Sequence, residues 1–235
     1  MSDHESAARV KLPAWQGWIR KGSDYPSSIS KKPDGEGGLI IEMGPAVIKL
    51  PDPAKLAANS WACSEQRLCV FAGALYNRDD LVEELFAGEP SSTIAELSPA
   101  DIVLRGYKRW QDDVLDHCDG AFALAIWDQS ERRLLCGRDA VGLHPFYFAH
   151  VGSDLVFSWD MESVLCHPLV SRDLNRAAVA EFLTHHWPLV EETLYKHVNR
   201  LPGGCGMRFH SGQLKVNRYW TPISENVPVQ WATED

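Results

Sequence analysis

The side chains that could do chemistry are thinly spread along this chain. His185 and His186 put two imidazoles on adjacent, differently directed helix positions, and no carboxylate or third histidine stands at ligand spacing, so they read as a surface pair rather than a metal site. Cys166 and His167 place a thiol beside an imidazole next to Pro168, at a helix end, where a structural role outweighs a catalytic dyad. Leu201-Pro202-Gly203-Gly204-Cys205-Gly206 is rich in glycine but lacks the Lys-Ser/Thr of a phosphate loop, and it reads as a turn. Six cysteines, at positions 63, 69, 118, 136, 166 and 205, show no CxxC pairing, and several sit inside apolar runs; they read as reduced, buried thiols. The densest grouping is Arg138-Asp139-Ala140-Val141-Gly142-Leu143-His144-Pro145, a charged pair followed by Gly and Pro at turn spacing.

The elements around that turn must position it. Ala121 to Trp127 and Leu134 to Cys136 precede it; Phe146 to Val151 and Leu155 to Trp159 follow, split by Gly152-Ser153-Asp154. Four short aromatic and aliphatic runs, each bounded by Gly, Asp, Ser or Pro, predict consecutive antiparallel strands in the middle of one sheet. Upstream, Leu12 to Ile19 holds a first strand, Gly22 to Gly38 reads as a mobile loop, and Leu39 to Met43 and Ala46 to Leu50 flank the turn Gly44-Pro45. Pro51 to Asn59 reads as a loop or short helix, and Arg67 to Tyr76 as a strong strand. Asn77 to Asp80 offers N-cap chemistry for a helix over Leu81 to Phe86. Ile102, Leu104, Tyr107, Trp110 and Val114 recur at helical spacing within Asp101 to Val114. A third helix is predicted over Asn175 to His186, a short element over Tyr195 to Val198, and a hairpin from Gly206 to Phe209 and Gln213 to Trp220 around Ser211-Gly212.

Composition narrows the function. A chain of 235 residues with 45% hydrophobic content can bury a sizeable core. A net charge of -9, with basic clusters no longer than Lys31-Lys32 and Arg132-Arg133, argues against a nucleic-acid surface. The polar start, Met1 to Lys11, lacks the apolar core of a signal peptide, and no run approaches the roughly 18 apolar residues of a membrane span. The expectation is a soluble, cytoplasmic protein. Its nine tryptophans are scattered, and core packing accounts for most of them.

Several motifs carry a resemblance. Gly120-Ala-Phe-Ala-Leu-Ala-Ile-Trp-Asp128, then Arg138-Asp139-x-x-Gly142-x-x-Pro145-Phe146-Tyr147, then Phe157-Ser158 are similar in order and spacing to signatures of the N-terminal glutaminase domain of asparagine synthetases. Leu75-Tyr76-Asn77, the stretch Thr193 to Gly204 and Arg218-Tyr219-Trp220 extend the likeness, which covers about Arg67 to Trp220. The resemblance implies a class II glutamine amidotransferase with the N-terminal-nucleophile hydrolase fold. That is an α+β protein, a four-layer αββα sandwich of two antiparallel sheets, with Arg138, Asp139, Gly142 and Pro145 as a structural motif. The organisation it implies is a flexible tail over 1–11, a glutaminase-like domain over 12–220 and a linker over 221–235.

It also implies where a glutaminase site belongs. Glutamine-hydrolysing members carry a cysteine directly after the initiator methionine, whose own α-amine acts as base; here position 2 is Ser2, followed by a polar tail. The family's Asn-Gly-Glu triplet, which stabilises the oxyanion and binds the substrate amine, corresponds to Ala72, Gly73 and Ala74, leaving one backbone donor. Loss of one oxyanion donor costs about 100-fold to 1,000-fold in rate. The family aspartate that holds the substrate amine aligns with Pro99, and Asp101 matches a carboxylate two positions on. These residues describe a vestigial glutamine pocket with no catalytic residue.

Asparagine-synthetase-like proteins continue into an ATP-pyrophosphatase domain, and Trp231 to Asp235 resembles its acidic start. The expected partner is that C-terminal domain, with ATP and Mg bound there, no cofactor in this chain, and a peptide or amino-acid-derived substrate at the domain interface. The leading expectation is a non-catalytic, glutaminase-like scaffold of an ATP-dependent amide-forming ligase, of the lasso-peptide cyclase or β-lactam synthetase type. The alternatives are an active amidase using Ser2 and a standalone binding module.

Overall fold

The computed structural model describes residues 15–21, 25, 29–35, 37–51, 59–186 and 191–222. The first strands are β1 (Gln16–Ile19), β2 (Ser30–Pro33), β3 (Leu39–Met43), β4 (Ala46–Leu50), β5 (Asn59–Cys63) and β6 (Arg67–Leu75). Helices α1 (Arg78–Leu85), α2 (Ser91–Glu96) and α3 (Pro99–Trp110) follow, and a 3-10 turn over Gln111–His117 leads into β7 (Gly120–Asp128) and β8 (Arg133–Arg138). Then come β9 (Tyr147–Val151), β10 (Asp154–Ser158), α4 (Met161–Leu165), α5 (Arg176–Leu183), β11 (Asn199–Arg200), β12 (Cys205–His210) and β13 (Gln213–Arg218). One sheet has the order β11-β9-β10-β1-β4-β3-β2, and the other β13-β12-β8-β7-β6-β5. All pairings are antiparallel.

The two-residue period of a strand explains the layers. In β7, Ala123, Ala125 and Trp127 face the other sheet, whereas Phe122, Leu124 and Ile126 face the helices. A strand buried on both faces reads as a continuous apolar run, as this one does. Between the sheets, Leu68, Val70 and Ala72 of β6 meet a wall that includes Ile41, Met43, Ile48 and Phe157. On the outside of the second sheet, Cys69 and Phe71 pack under Leu81, Val82 and Leu85 of α1 and Ile102, Val103 and Tyr107 of α3. The outer face of the first sheet is covered more thinly, by Val164 and Leu165 of α4 with Val170 and Val198. The result is the expected αββα sandwich.

Several sequence expectations need correction. The runs from Ala121 to Trp159 are not neighbours in one sheet: β7 and β8 pair in the second sheet, β9 and β10 in the first, and the turn between them crosses the sandwich. The expected loop over Gly22–Gly38 contains β2, an edge strand paired with β3 whose two lysines and proline hide it from a strand pattern. β5, α2 and α4 carry too weak a period to be read. Asn77 precedes α1 but does not cap it: its amide donates to the His117 carbonyl (2.9 Å) and accepts from the Asp119 amide (3.0 Å). His185 and His186 lie beyond the Thr184 cap of α5, not within the helix, and both are exposed. All six cysteines are unbridged, but only Cys69, Cys136 and Cys205 are buried; Cys63 and Cys118 are half-buried and Cys166 is exposed. Of the tryptophans, Trp15 and Trp127 are buried, Trp18, Trp61, Trp110 and Trp159 are half-buried, and Trp220 is exposed; Trp187 and Trp231 lie outside the described residues. Among the described residues no helix is long and apolar enough to cross a membrane.

Candidate functional site

The crossover turn is built around Arg138 and Asp139. Arg138 is buried and fans three carbonyls together: Nε donates to His144 O (2.5 Å), Nη1 to Leu201 O (2.7 Å) and Nη2 to Gly142 O (2.5 Å). A planar guanidinium with five donors suits this task where a lysine would not. Asp139 is fully buried, and its two oxygens accept from the Leu143 and His144 amides, both at 2.8 Å. Its backbone carbonyl accepts from Gly142 N (3.1 Å) and Gly204 N (2.8 Å), tying the turn to the loop after β11. Gly142 has φ +74° and packs against Gly203, so the glycine is required there. Tyr219 closes the arrangement by donating its hydroxyl to Arg138 O (2.7 Å), and burial pushes the phenol above its ordinary pKa. Arg138, Asp139 and Gly142 thus hold β8, β9 and the 201–204 loop in one place.

The same turn delivers His144 against β6. A Cβ on Gly73 would lie 3.0 Å from His144 Cδ2 and would collide with the Ala121 carbonyl oxygen; Gly73 also has φ +111°. The His144 ring stands 4.8 Å from the Trp159 ring. His144 Nδ1 and Trp159 Nε1 are both buried without a protein hydrogen-bond partner. Burial, the largest cause, holds the imidazole below its usual pKa of 6.5. The start of β1 reaches this end of the sandwich as well: Gln16 lies opposite Ser158, and Ser158 Oγ donates to Trp15 O (2.7 Å).

Of the candidate pocket residues, Ala72, Gly73 and Ala74 lie on β6 here, whereas Pro99 and Asp101 stand at the start of α3. Ala72 is buried between the sheets opposite Ala123, and Ala74 is exposed opposite Ala121, so the stretch presents two methyl groups and the backbone of Gly73. Pro99 is the first residue of α3, where a missing N–H costs nothing. Asp101 completes a capping box: its Oδ2 accepts from Ser98 N (3.0 Å) and Ser98 Oγ (2.5 Å), while Asp101 N donates back to Ser98 Oγ (3.3 Å). The start of α3 is tied to β5 through Ala100 N and Ser60 Oγ (3.1 Å), one strand over from Phe71. Ser2 lies outside the described residues. His144 and Trp159 are the residues that sequence reasoning missed; their types carry no signal, and only their places, one before Pro145 and one after Ser158, hinted at them. Among the described residues no three His, Cys, Asp or Glu side chains gather as a metal site.

Two stacked antiparallel sheets flanked by helices, joined through an Arg-Asp crossover beside a glycine on a central strand, make the α+β sandwich that the sequence resemblance implies. The chain belongs to the glutamine amidotransferase domain family, whose model matches residues 52–220. It is 29% identical over 157 residues to "Asparagine synthetase [glutamine-hydrolyzing] 3" of Bacillus subtilis, covering 66% of this chain and 25% of that protein. A putative glutamine-hydrolysing asparagine synthetase of Mycobacterium tuberculosis is 29% identical over 170 residues, covering 70% and 26%. The solved structure of the allosteric regulatory enzyme of purine biosynthesis shares the fold, with a TM-score of 0.50 at 14% identity, covering 90% of this chain and 44% of that one. The chain thus spans about a quarter of the length of these curated relatives, as the glutamine amidotransferase part of asparagine synthetase-like proteins.

Proposed function

We propose that this domain does not hydrolyse glutamine and acts as the scaffold of an ATP-dependent amide-forming ligase whose amine comes from its own substrate, in the manner of β-lactam synthetases or lasso-peptide cyclases. The observation that carries this reading is the Ala72-Gly73-Ala74 stretch, where two methyl groups stand in place of an oxyanion donor and a substrate-binding carboxylate. Three features support it. The Asp101 carboxylate is engaged in capping α3, the His144 ring lies against Gly73, and Ser2 stands fourteen positions before Gln16, the first residue of β1. A ligase that takes its amine from the substrate has no use for released ammonia, so such losses carry no penalty.

The partner is a synthetase domain that binds ATP and Mg. A docking face for it is supported by exposed apolar side chains around the crossover: Val141 and Leu143 are 65% and 66% exposed, and Trp220 lies beside Gly204 in the loop that Asp139 holds. Calorimetric titration of the chain with L-glutamine tests the reading. No heat of binding up to millimolar glutamine is expected; a saturable one-to-one isotherm would show that the pocket still recognises its ancestral substrate.

A further inference from the structure

The outer face of the first sheet is covered by α4 and by the turn that follows it, and one side chain ties that turn down. His167 is buried, 8% exposed, with its ring against the Trp18 indole of β1 at 5.0 Å between centroids. Its Nδ1 accepts from the Leu169 amide (3.3 Å), so the proton of the neutral ring sits on Nε2. Its backbone belongs to the same turn: His167 N donates to Val164 O (3.2 Å), and Val170 N donates to His167 O (3.0 Å). Val170 is buried and anchors the turn in the apolar cluster that contains Val164, Leu165, Ala149 and Val156.

An imidazolium has a donor at each nitrogen and no acceptor. A second proton on His167 would therefore point an N–H at the Leu169 N–H and leave that amide without a partner until water reaches it. The charges around the ring do little to hold such a cation in place. Asp154, at the start of β10, favours it, but its Oδ1 already accepts from the Lys21 amide (2.7 Å). The cation of the turn, Arg172, is directed at Leu165 O (3.2 Å) and Cys166 Sγ (3.8 Å). Glu162 of α4 is exposed, and Arg20 of the chain after β1 faces Glu42 (3.9 Å). The other titratable side chains packed on the cluster are the phenols of Tyr147 and Tyr195, and Arg200 lies over the first at 5.8 Å. Burial outweighs Asp154 and holds the His167 ring below its ordinary pKa, so proton uptake favours a conformation with the ring in water.

We propose that His167 is a proton-operated latch: when its ring takes up a second proton, the 168–172 turn lifts from the outer face of the first sheet and uncovers Val164, Leu165 and Val170, while the two stacked sheets stay closed. The latch is independent of how the glutamine pocket is read. It is tested by amide hydrogen exchange of the chain from about pH 7.5 to about pH 5, corrected for the intrinsic rate at each pH. Protection of Leu169 and Val170 is expected to fall below pH 6.5, approaching tenfold per pH unit where only the open turn is protonated. Leu124 in β7 should stay at least about a hundredfold better protected at every pH, because the opening is local. His167→Asn keeps an acceptor in the place of Nδ1, in the manner of an Asx turn, and has no proton to gain. Its Leu169 protection is expected not to vary with pH. In the unaltered chain at about pH 7.5, the nitrogen resonance of Nδ1 should be that of an unprotonated acceptor. The proposal is overturned if Nδ1 carries the proton at that pH, or if Leu169 protection stays flat through the titration of the ring. It is equally overturned if protection falls as steeply in a folded His167→Asn protein, or if Leu124 drops to the level of Leu169.

Discussion

Single residues carry the distinction between a site and its remnant. Asp101 is the carboxylate that the sequence resemblance matches to a glutamine pocket, and it is engaged at the N-terminus of α3. Asp101→Ala should therefore act as loss of a cap, costing about 1 kcal/mol and lowering Tm by roughly 2–4 °C, with glutamate release no different from the unaltered chain. Asp139 is a different case, because its two oxygens hold the amides of Leu143 and His144 inside the crossover. Asp139→Ala leaves buried donors without acceptors and should cost about 2–4 kcal/mol, read from chemical denaturation. His144 gives a pH signature. Its folded pKa lies below 6.5, so as pH falls through 6.5 the unfolded chain takes up a proton before the folded one does. Its contribution to stability is full above that value and is lost as pH falls through the folded pKa. Buried His167 shifts in the same direction, burial again being the largest cause. Tm should fall between about pH 7.5 and about pH 5.5, and His144→Leu should flatten part of that slope; an unchanged slope would place the ring in solvent.

At the scale of elements, what could be read from the sequence followed the strength of the pattern. β6, β7 and the β12–β13 hairpin are legible because long apolar runs and a Ser-Gly turn, here with φ of 51° and 77°, leave few alternatives. α3 is legible from its period, although Val103 is buried where Leu104 was expected to be, and the helix gives way to a 3-10 turn at Gln111. Sheet membership was not legible. The turn 139–146 has the same residue types whether the chain folds back into its own sheet or crosses to the other; what decides is Arg138 reaching Leu201, a contact sixty-three positions away. β2 and β5 are hidden for a related reason, since short edge strands draw their stability from one neighbour rather than from an alternating pattern. The pocket was half legible: the Ala72-Gly73-Ala74 triplet is visible in sequence, but the approach of His144 to Gly73 comes only with the crossover. Gly73 is where element and site coincide. Gly73→Ala forces a Cβ into the Ala121 carbonyl at a positive φ and should cost roughly 1–3 kcal/mol, seen as a lower denaturation midpoint at unchanged slope.

For the whole molecule, the chain matches about a quarter of the length of its curated relatives, and the proposed synthetase partner would give its exposed apolar crossover a role. Val141→Asp and Leu143→Asp alter side chains that touch little, so each should change the stability of the isolated chain by no more than about 0.5 kcal/mol. The same substitutions should weaken association with a synthetase domain supplied in trans, measured by sedimentation; unaltered association would move the docking face elsewhere. The central claim, a glutaminase fold kept after its chemistry was lost, meets its most direct test in glutamate release from L-glutamine by the purified chain, with and without Ser2→Ala. Release no faster than the spontaneous reaction in buffer, and identical in both proteins, is the predicted result. Turnover that disappears with Ser2→Ala would contradict it and make the chain a serine-type amidase acting through its own N-terminus.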